Sequence, residues 1–241
     1  MIFAAGLGTR LQQYTKNCPK ALVSLNGKPL LEHCIIKLKD FGVNRIVINV
    51  HHFADQIEAF LESKNNFGMD IRISDERKLL LDTGGAIKHA KSLFIANAPI
   101  LIYNVDILSS LNLKDLVACH KKNKALATLN LRAKNTNRYL CFNEEGLLCA
   151  WKNDVTKEEK IVNESHLNSN SYSFSGIHII DYSLLDLIEE EGVFSIIDLY
   201  LRLAKNYKIA GYYDTSDLWM DLGKPEELEK AELLIKKLDN D

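Results

Sequence analysis

The chain opens MIFAAGLGTRLQQYTKNCPKAL, in which an apolar strand, two glycines, an arginine and a lysine follow one another in that order. A strand over residues 1–5 that breaks into Gly6-Leu7-Gly8-Thr9-Arg10 leaves the backbone N–H groups of Ala5, Gly6, Leu7, Gly8 and Thr9 unhindered at its carboxyl end. Glycine permits the sharp turn, and successive free amides make a concavity that binds anions. Arg10 adds a fixed cation beside them, and Lys20, reached through a polar loop and Pro19, adds a mobile one from the far rim. Two cations flanking a glycine turn point to phosphates. The turn alone also describes a ligand-free tight turn, so the surrounding residues must decide.

Two well-known phosphate loops do not fit. A P-loop requires Gly-Lys-Ser/Thr with four residues between it and its first glycine, and a dinucleotide fingerprint requires a third glycine where Leu11 stands; neither is present. No Ser-His-Asp or Cys-His arrangement for nucleophilic attack stands out either. Asp106 follows the apolar run PILIYNV at 99–105, where a bare carboxylate is costly unless it meets a cation. It is therefore the first candidate ligand for Mg²⁺, which needs only one or two carboxylates and keeps several waters. Asp82-Thr83-Gly84-Gly85 precedes a helical stretch, so its bare backbone could approach a flat ligand or a phosphate at a helix N-terminus, the alternative being an ordinary glycine-containing cap. His51 and His52 point to opposite faces of an extended chain and make a poor metal pair. Lys236 and Lys237 read as helix surface.

These residues need a scaffold that brings strand ends together. NRIVINV at 44–50 and PILIYNV at 99–105 are near-continuous apolar runs, the pattern of strands buried on both faces. Residues 53–64 and 84–96 carry apolar side chains at helical spacing, and 124–133 reads as a further strand. The alternation predicts an α/β class, a Rossmann-like mixed and mostly parallel sheet with helices on both faces. RYLCFNEEGLLCAWK at 138–152 predicts a hairpin about Asn143-Glu144-Glu145-Gly146. Residues 153–170 form a polar loop long enough to act as a lid. SYSFSGIHII at 171–180 returns to strand, helices are expected near 183–190 and 195–204, and a turn then leads into a helix that opens on Pro225 and glutamates. No hexapeptide array follows, so no β-helix is expected.

The 241 residues, 46% hydrophobic and 26% charged with a formal net charge of −2, suffice for a sizeable core and hold no basic surplus for nucleic acid. The 5 cysteines are scattered and never form a C-x-x-C pair, which argues against a disulfide framework or a zinc site. No signal peptide or membrane span is readable at the start of the chain, so a cytoplasmic protein is expected.

The full string G-L-G-T-R-L-x-x-x-T-x-x-x-P-K-A-L, continued by Gly27-Lys28-Pro29-Leu30, resembles the sugar-1-phosphate nucleotidyltransferases, or nucleotide-sugar pyrophosphorylases. The resemblance recurs at LLLDTGGAIKHA (79–90), YNVD (103–106), FSGIHII (174–180) and WMDLGKPEELE (219–229) and so covers essentially the whole chain. It is greatest to the short bacterial enzymes that act on N-acetylmuramate 1-phosphate or mannose 1-phosphate. It implies one domain over 1–241, with a nucleotide-binding core at 1–133 and a sugar-phosphate-binding part with a closing helix at 134–241.

It also implies an in-line reaction in which a sugar 1-phosphate oxygen attacks the α-phosphorus of a nucleoside triphosphate and pyrophosphate leaves, with Mg²⁺ as cofactor. Cations and backbone donors are what such chemistry asks of a protein. By this resemblance Arg10 grips the β- and γ-phosphates beside the loop amides, Lys20 neutralises charge at the α-phosphate, and Asp221 joins Asp106 as metal ligand. Thr83 and Gly84 lie against base and ribose, while Asn104, Arg138, Ser175 and Gly176 lie near the sugar phosphate. UTP with N-acetylmuramate 1-phosphate is the implied pair, with GTP and mannose 1-phosphate as the alternative. A catalytically idle binding module on the same fold is the rival from another class; keeping Arg10, Lys20, Asp106 and Asp221 together favours the enzyme.

Two departures from the family pattern stand out. Gln12-Gln13 replace a common proline, which implies a less rigid loop, and Val105 replaces the glycine usual before the metal aspartate, which bears on substrate rather than class. Lys152 lies near a common sugar-phosphate lysine, but Trp151-Lys152-Asn153-Asp154 is too altered to carry that role.

Overall fold

The computed structural model describes residues 1–238, with the side chains of Gln12 and residues 236–238 excepted; the surface placement expected for Lys236 and Lys237 therefore lies outside the described residues. In chain order the first half builds β1 (Ile2–Phe3), the short strands β2 (Ser24–Leu25) and β3 (Lys28–Pro29), α1 (Leu30–Phe41), β4 (Arg45–Val50), α2 (Ala54–Ser63), β5 (Asp70–Asp75), α3 (Asp82–His89), β6 (Ile100–Asn104) and β7 (Ile107–Ser109). The second half builds α4 (Leu113–Asn123), β8 (Ala127–Arg132), β9 (Arg138–Phe142), β10 (Leu148–Asn153), β11 (Glu159–Ile161), β12 (Asn170–Ile180), α5 (Ile196–Leu203), β13 (Ile209–Tyr213), β14 (Trp219–Asp221) and α6 (Pro225–Leu238).

The near-continuous apolar runs become central strands because both their faces are covered. β5, β4, β1 and β6 lie side by side and parallel, in that order. β12 runs antiparallel to β6 and to β8, β8 pairs in parallel with β13, and the first residues of β12 carry the antiparallel extension β9-β10-β11. The sheet is thus mixed, and it is continuous across residue 133, since β12 lies between β6 and β8. One apolar core packs α1, α2 and the start of α4 against it, through Ile35, Leu38, Ile57 and Leu116; the other packs α3 and α5 through Ile87, Leu199 and Tyr200. Helices therefore cover both faces, as the alternation predicts.

Local chemistry sets several element ends. The amide of Gly42, left-handed at φ 92, closes α1 on the carbonyls of Leu38 and Lys39. Side-chain oxygens of Asn112 and Ser195 accept from Lys114 and Ile197 and so cap α4 and α5. β1 keeps only two residues because the Ala4 amide turns to the Asn49 side chain at 2.8 Å.

Four expectations change. Asp82-Thr83-Gly84-Gly85 forms the first turn of α3 instead of leading into it, and the helix ends at His89, short of 96. The helix expected near 183–190 is a 3₁₀ turn, Tyr182–Leu187. Segment 153–170 contains edge strand β11 and a 3₁₀ turn, Glu164–Asn168. A 3₁₀ turn at Thr9–Tyr14 follows the glycine loop. All five cysteines are free, and no described helix is long and apolar enough to cross a membrane.

Candidate active site

The parallel strands β1, β4 and β6 end at one cleft of about 560 Å³, the position where open α/β sheets bind ligands. Its floor is the segment Ala4-Ala5-Gly6 with Gly8, Thr9 and Arg10, freed from the sheet once the Asn49 side chain takes the Ala4 amide. Gly8 has φ +64, and a Cβ there would lie 2.9 Å from Thr15 Cγ2 and 3.0 Å from Lys20 Cβ. Only glycine combines that backbone with that crowding. The Gly8 carbonyl accepts from the Leu11 amide at 2.9 Å and the Thr15 hydroxyl at 3.0 Å, which fixes the turn and aims the Arg10 side chain across the cleft. Leu7 points away, 49% exposed, and does not line the cleft.

Asp106 and Asp221 are 115 positions apart in sequence but meet at the end of one short ribbon. β14 pairs antiparallel with β7, setting Asp221 opposite Ile107, and the Leu222 amide donates to the Asp106 carbonyl at 2.8 Å. Each carboxylate holds a cation. The Lys20 ammonium sits on Asp106 Oδ2, and Arg10 Nη2 lies 3.8 Å from Asp221 Oδ2. The Gly223 amide donates to Asp221 Oδ1 at 2.9 Å. Behind this corner the Cys34 thiol faces the Val105 carbonyl at 3.5 Å; burial first, and the nearby Asp106 charge second, push its pKa up to about 12. It remains a neutral thiol and offers no nucleophile.

The opposite wall holds Asn49, Glu76, Leu80, Asp82, Thr83 and Val193. Glu76 is 2% exposed, with Oε1 accepting from Asn49 Nδ2 at 2.8 Å and Oε2 from the Leu81 amide at 3.1 Å. Its carbonyl meets His51 Nδ1 at 2.7 Å, so His51 braces Glu76 instead of lining the cleft, while the His52 ring lies against that of Phe53, centroids 3.9 Å apart and tilted by 47°. Thr83 faces the cleft and its hydroxyl also accepts the Ile196 amide at 3.0 Å. Gly84 does not line the cleft. Its amide donates to the Phe194 carbonyl at 2.9 Å, and a Cβ there would lie 2.4 Å from the Phe194 ring, so close packing accounts for this glycine.

On the remaining side Asn104 lines the cleft beside Val105 and Asp106. Gly176 lies against it: at φ +81, a Cβ would fall 2.7 Å from Asn104 Nδ2. The register of β12 against β8 shifts between Phe174 and His178, which places Ser175 and Gly176 at an irregularity of the kind found beside sites. The Ser175 carbonyl accepts from Trp219 Nε1 at 3.0 Å, tying β12 to the ribbon that carries Asp221. Arg138 is exposed at the start of β9, paired with Asn153, and is not brought to the cleft. Lys152 lies over the Tyr139 ring at 5.5 Å. No residue of 153–170 lines the cleft.

Of the residues singled out from the sequence, Ala5, Gly6, Gly8, Thr9, Arg10, Lys20, Thr83, Asn104 and Asp106 line the cleft and Asp221 stands beside it against Arg10; the cleft also takes in Asn49, Glu76, Val193 and Gly223, which the sequence does not single out. For Glu76 a usable signal exists: an acidic residue just past the carboxyl end of a parallel strand.

The family described as "Nucleotidyl transferase" matches residues 1–237. The N-acetylmuramate alpha-1-phosphate uridylyltransferase of Caulobacter vibrioides is 32% identical over 237 residues, covering 96% of this chain and 94% of that protein. The mannose-1-phosphate guanylyltransferase catalytic subunit beta of Drosophila pseudoobscura pseudoobscura is 28% identical over 232 residues, covering 94% of this chain but only 59% of its own length. Among solved structures, a putative glucose-1-phosphate thymidylyltransferase from Bacillus anthracis superposes with a TM-score of 0.78 at 21% identity, covering 97% of this chain and 93% of that one. HddC from Yersinia pseudotuberculosis, complexed with GMP-PN, gives 0.74 at 21% identity and 97% coverage of both. These structural likenesses establish the fold.

Proposed function

The chain belongs to the nucleotidyl transferase family, and on that premise we propose that it transfers the uridylyl group of UTP to N-acetylmuramate 1-phosphate. Transfer from a nucleoside triphosphate to a sugar 1-phosphate is the activity of the family branch it falls in; the base and sugar follow the 32% identical relative, which matches nearly end to end. The observation that carries the chemistry is the pairing of Lys20 with Asp106 in the cleft and of Arg10 with Asp221 beside it.

Mg²⁺ fits this corner. Asp106 and Asp221 are hard oxygen donors at one ribbon end, and Asp106 already holds a positive charge on its oxygen, while two carboxylates suffice for an ion that keeps waters and takes phosphate oxygens. When bound, the metal neutralises charge on the triphosphate. Arg10 and the amides of Gly6, Gly8 and Thr9 hold the β- and γ-phosphates, and Lys20 balances charge at the α-phosphate. Asn104, kept in place by Gly176, orients the sugar phosphate. The sugar phosphate oxygen attacks the α-phosphorus in line, the bond to the bridging oxygen breaks, and its electron pair leaves on pyrophosphate. The nucleophile is already an anion, so no general base is needed; positioning and charge neutralisation carry the rate.

A second reading, GTP with mannose 1-phosphate, is favoured by Glu76. The Glu76 carboxyl in the wall beside Thr83 accepts hydrogen bonds from Asn49 and the Leu81 amide and so offers acceptors there, and guanine presents two adjacent donors where uracil presents one between acceptors. Pyrophosphate release from a matrix of four nucleoside triphosphates against N-acetylmuramate, mannose and glucose 1-phosphates decides between them. UTP with N-acetylmuramate 1-phosphate should lead, GTP with mannose 1-phosphate in the lead selects the second reading, and silence across the matrix from folded protein rejects both.

A further inference from the structure

The two carboxylates that suit a metal are each occupied by one of the two cations that suit the phosphates. Lys20 and Asp106 are largely buried, their side chains 10% and 17% exposed. Arg10 and Asp221 are more open, at 56% and 37%. An ammonium on Asp106 Oδ2 offsets the carboxylate charge and repels a divalent ion approaching the other oxygen, so the ion binds well only when that ammonium moves away. The displaced Lys20 would then stand in a mostly dehydrated corner with no counter-charge, which is strongly unfavourable. Only an arriving anion relieves it. The triphosphate is that anion, and Arg10 meets the same exchange at Asp221.

We infer that Lys20 and Arg10 are resident counter-ions of the metal carboxylates, released to the triphosphate in the same event that admits the metal. The protein then binds a divalent ion weakly on its own and tightly only together with nucleotide, which prevents a metal-loaded cleft from forming ahead of its substrate. This rests on Asp106 and Asp221 being the metal ligands.

The test is calorimetric titration of Mn²⁺ into nucleotide-free protein, comparing the wild type with Lys20→Met, Asp106→Asn and the double variant, each checked for folding by circular dichroism. Lys20→Met should bind Mn²⁺ about tenfold or more tightly than the wild type, the scale of removing an opposite charge in contact with a carboxylate. Adding Asp106→Asn should erase that gain. Affinity in Lys20→Met equal to or weaker than wild type, while Asp106→Asn still weakens binding, overturns the inference and leaves the metal site standing. If Asp106→Asn changes nothing in either background, the metal site fails and the inference with it. Should Lys20→Met not fold, Arg10→Gln removes a mostly exposed side chain and should tighten Mn²⁺ binding about twofold to fivefold, the scale of an exposed ion pair; no gain there overturns the inference equally.

Discussion

Gly223→Ala separates the placement of Arg10, with Asp221 beside it, from the stability of the fold. A Cβ at 223 would lie 2.4 Å from Arg10 Nη2, 2.8 Å from Arg10 Cζ and 2.8 Å from Asp221 Oδ1. Ordinary contact needs about 3.5 Å, so the guanidinium must retreat by roughly 1 Å. Retreat is easy, because the Arg10 side chain is 56% exposed and its pair with Asp221 is long at 3.8 Å. Breaking such an exposed pair changes stability by about 0–1 kcal/mol, which at this chain length moves Tm by at most about 4 °C. Activity should respond far more, since a displacement of about 1 Å in a positioning group can lower the rate on the order of 10²-fold. Pyrophosphate release and a thermal melt on the same preparation give both numbers. Activity within about threefold of wild type, far less than the loss of a transition-state contact, would refute the assignment of Arg10 to the phosphates.

Three further outcomes follow from buried groups. Burial, with the buried N-terminal amine as a smaller cause, holds the His178 imidazole at about 3, against about 6.5 in an unfolded chain. Above that value both states carry a neutral ring, and below it the unfolded chain alone takes up the proton, so the contribution to stability falls by roughly 2 kcal/mol between pH 6.5 and 5. His178→Phe, retaining packing on Phe174 and Tyr200, should flatten that part of the urea-denaturation profile; an unchanged slope would show that other groups set it. Glu76→Gln must turn its NH₂ toward either Asn49 Nδ2 or the Leu81 amide, both donors, and should lower stability by about 1–3 kcal/mol; no loss in chemical denaturation would mean the carboxylate is not held as described. Gly176→Ala forces a left-handed alanine into Asn104 and should raise KM for the sugar phosphate more than KM for the nucleotide; equal changes in both would remove Asn104 from the sugar side.

The parts of the site legible in the sequence are those whose chemistry is local. The glycine loop announces itself because turn, amides and Arg10 lie within five consecutive residues, and Asp106 because a carboxylate ends an apolar strand. Glu76 and Asn49 escape notice because their meaning lies in a cross-strand contact between the neighbouring ends of β4 and β5, which no single segment encodes. Likewise the pairing of Lys20 with Asp106 spans 86 positions and exists only once β1 and β6 lie side by side. Gly84 shows the opposite limit: a glycine that looks made for a ligand makes room for Phe194. In the fold, β4, β6, β8 and the 138–152 hairpin are readable from apolar runs and turn residues. Helix α1 does carry a signal, Leu30, Leu31, Cys34, Ile35 and Leu38 at helical spacing before Gly42, whereas the polar stretch 153–170 hides an edge strand because β11 is only Glu159-Lys160-Ile161, all three exposed.

The central claim is that Asp106 and Asp221 act as one metal-holding unit in nucleotidyl transfer. Its most direct measurement is Mg²⁺-dependent pyrophosphate release from UTP and N-acetylmuramate 1-phosphate by the wild type, Asp106→Asn, Asp221→Asn and the double variant. Each single substitution should lower kcat by about 10²-fold or more and the double variant should lose little beyond the worse single, as groups acting together do. Independent, multiplicative losses, or either variant retaining near-wild-type kcat, would contradict it.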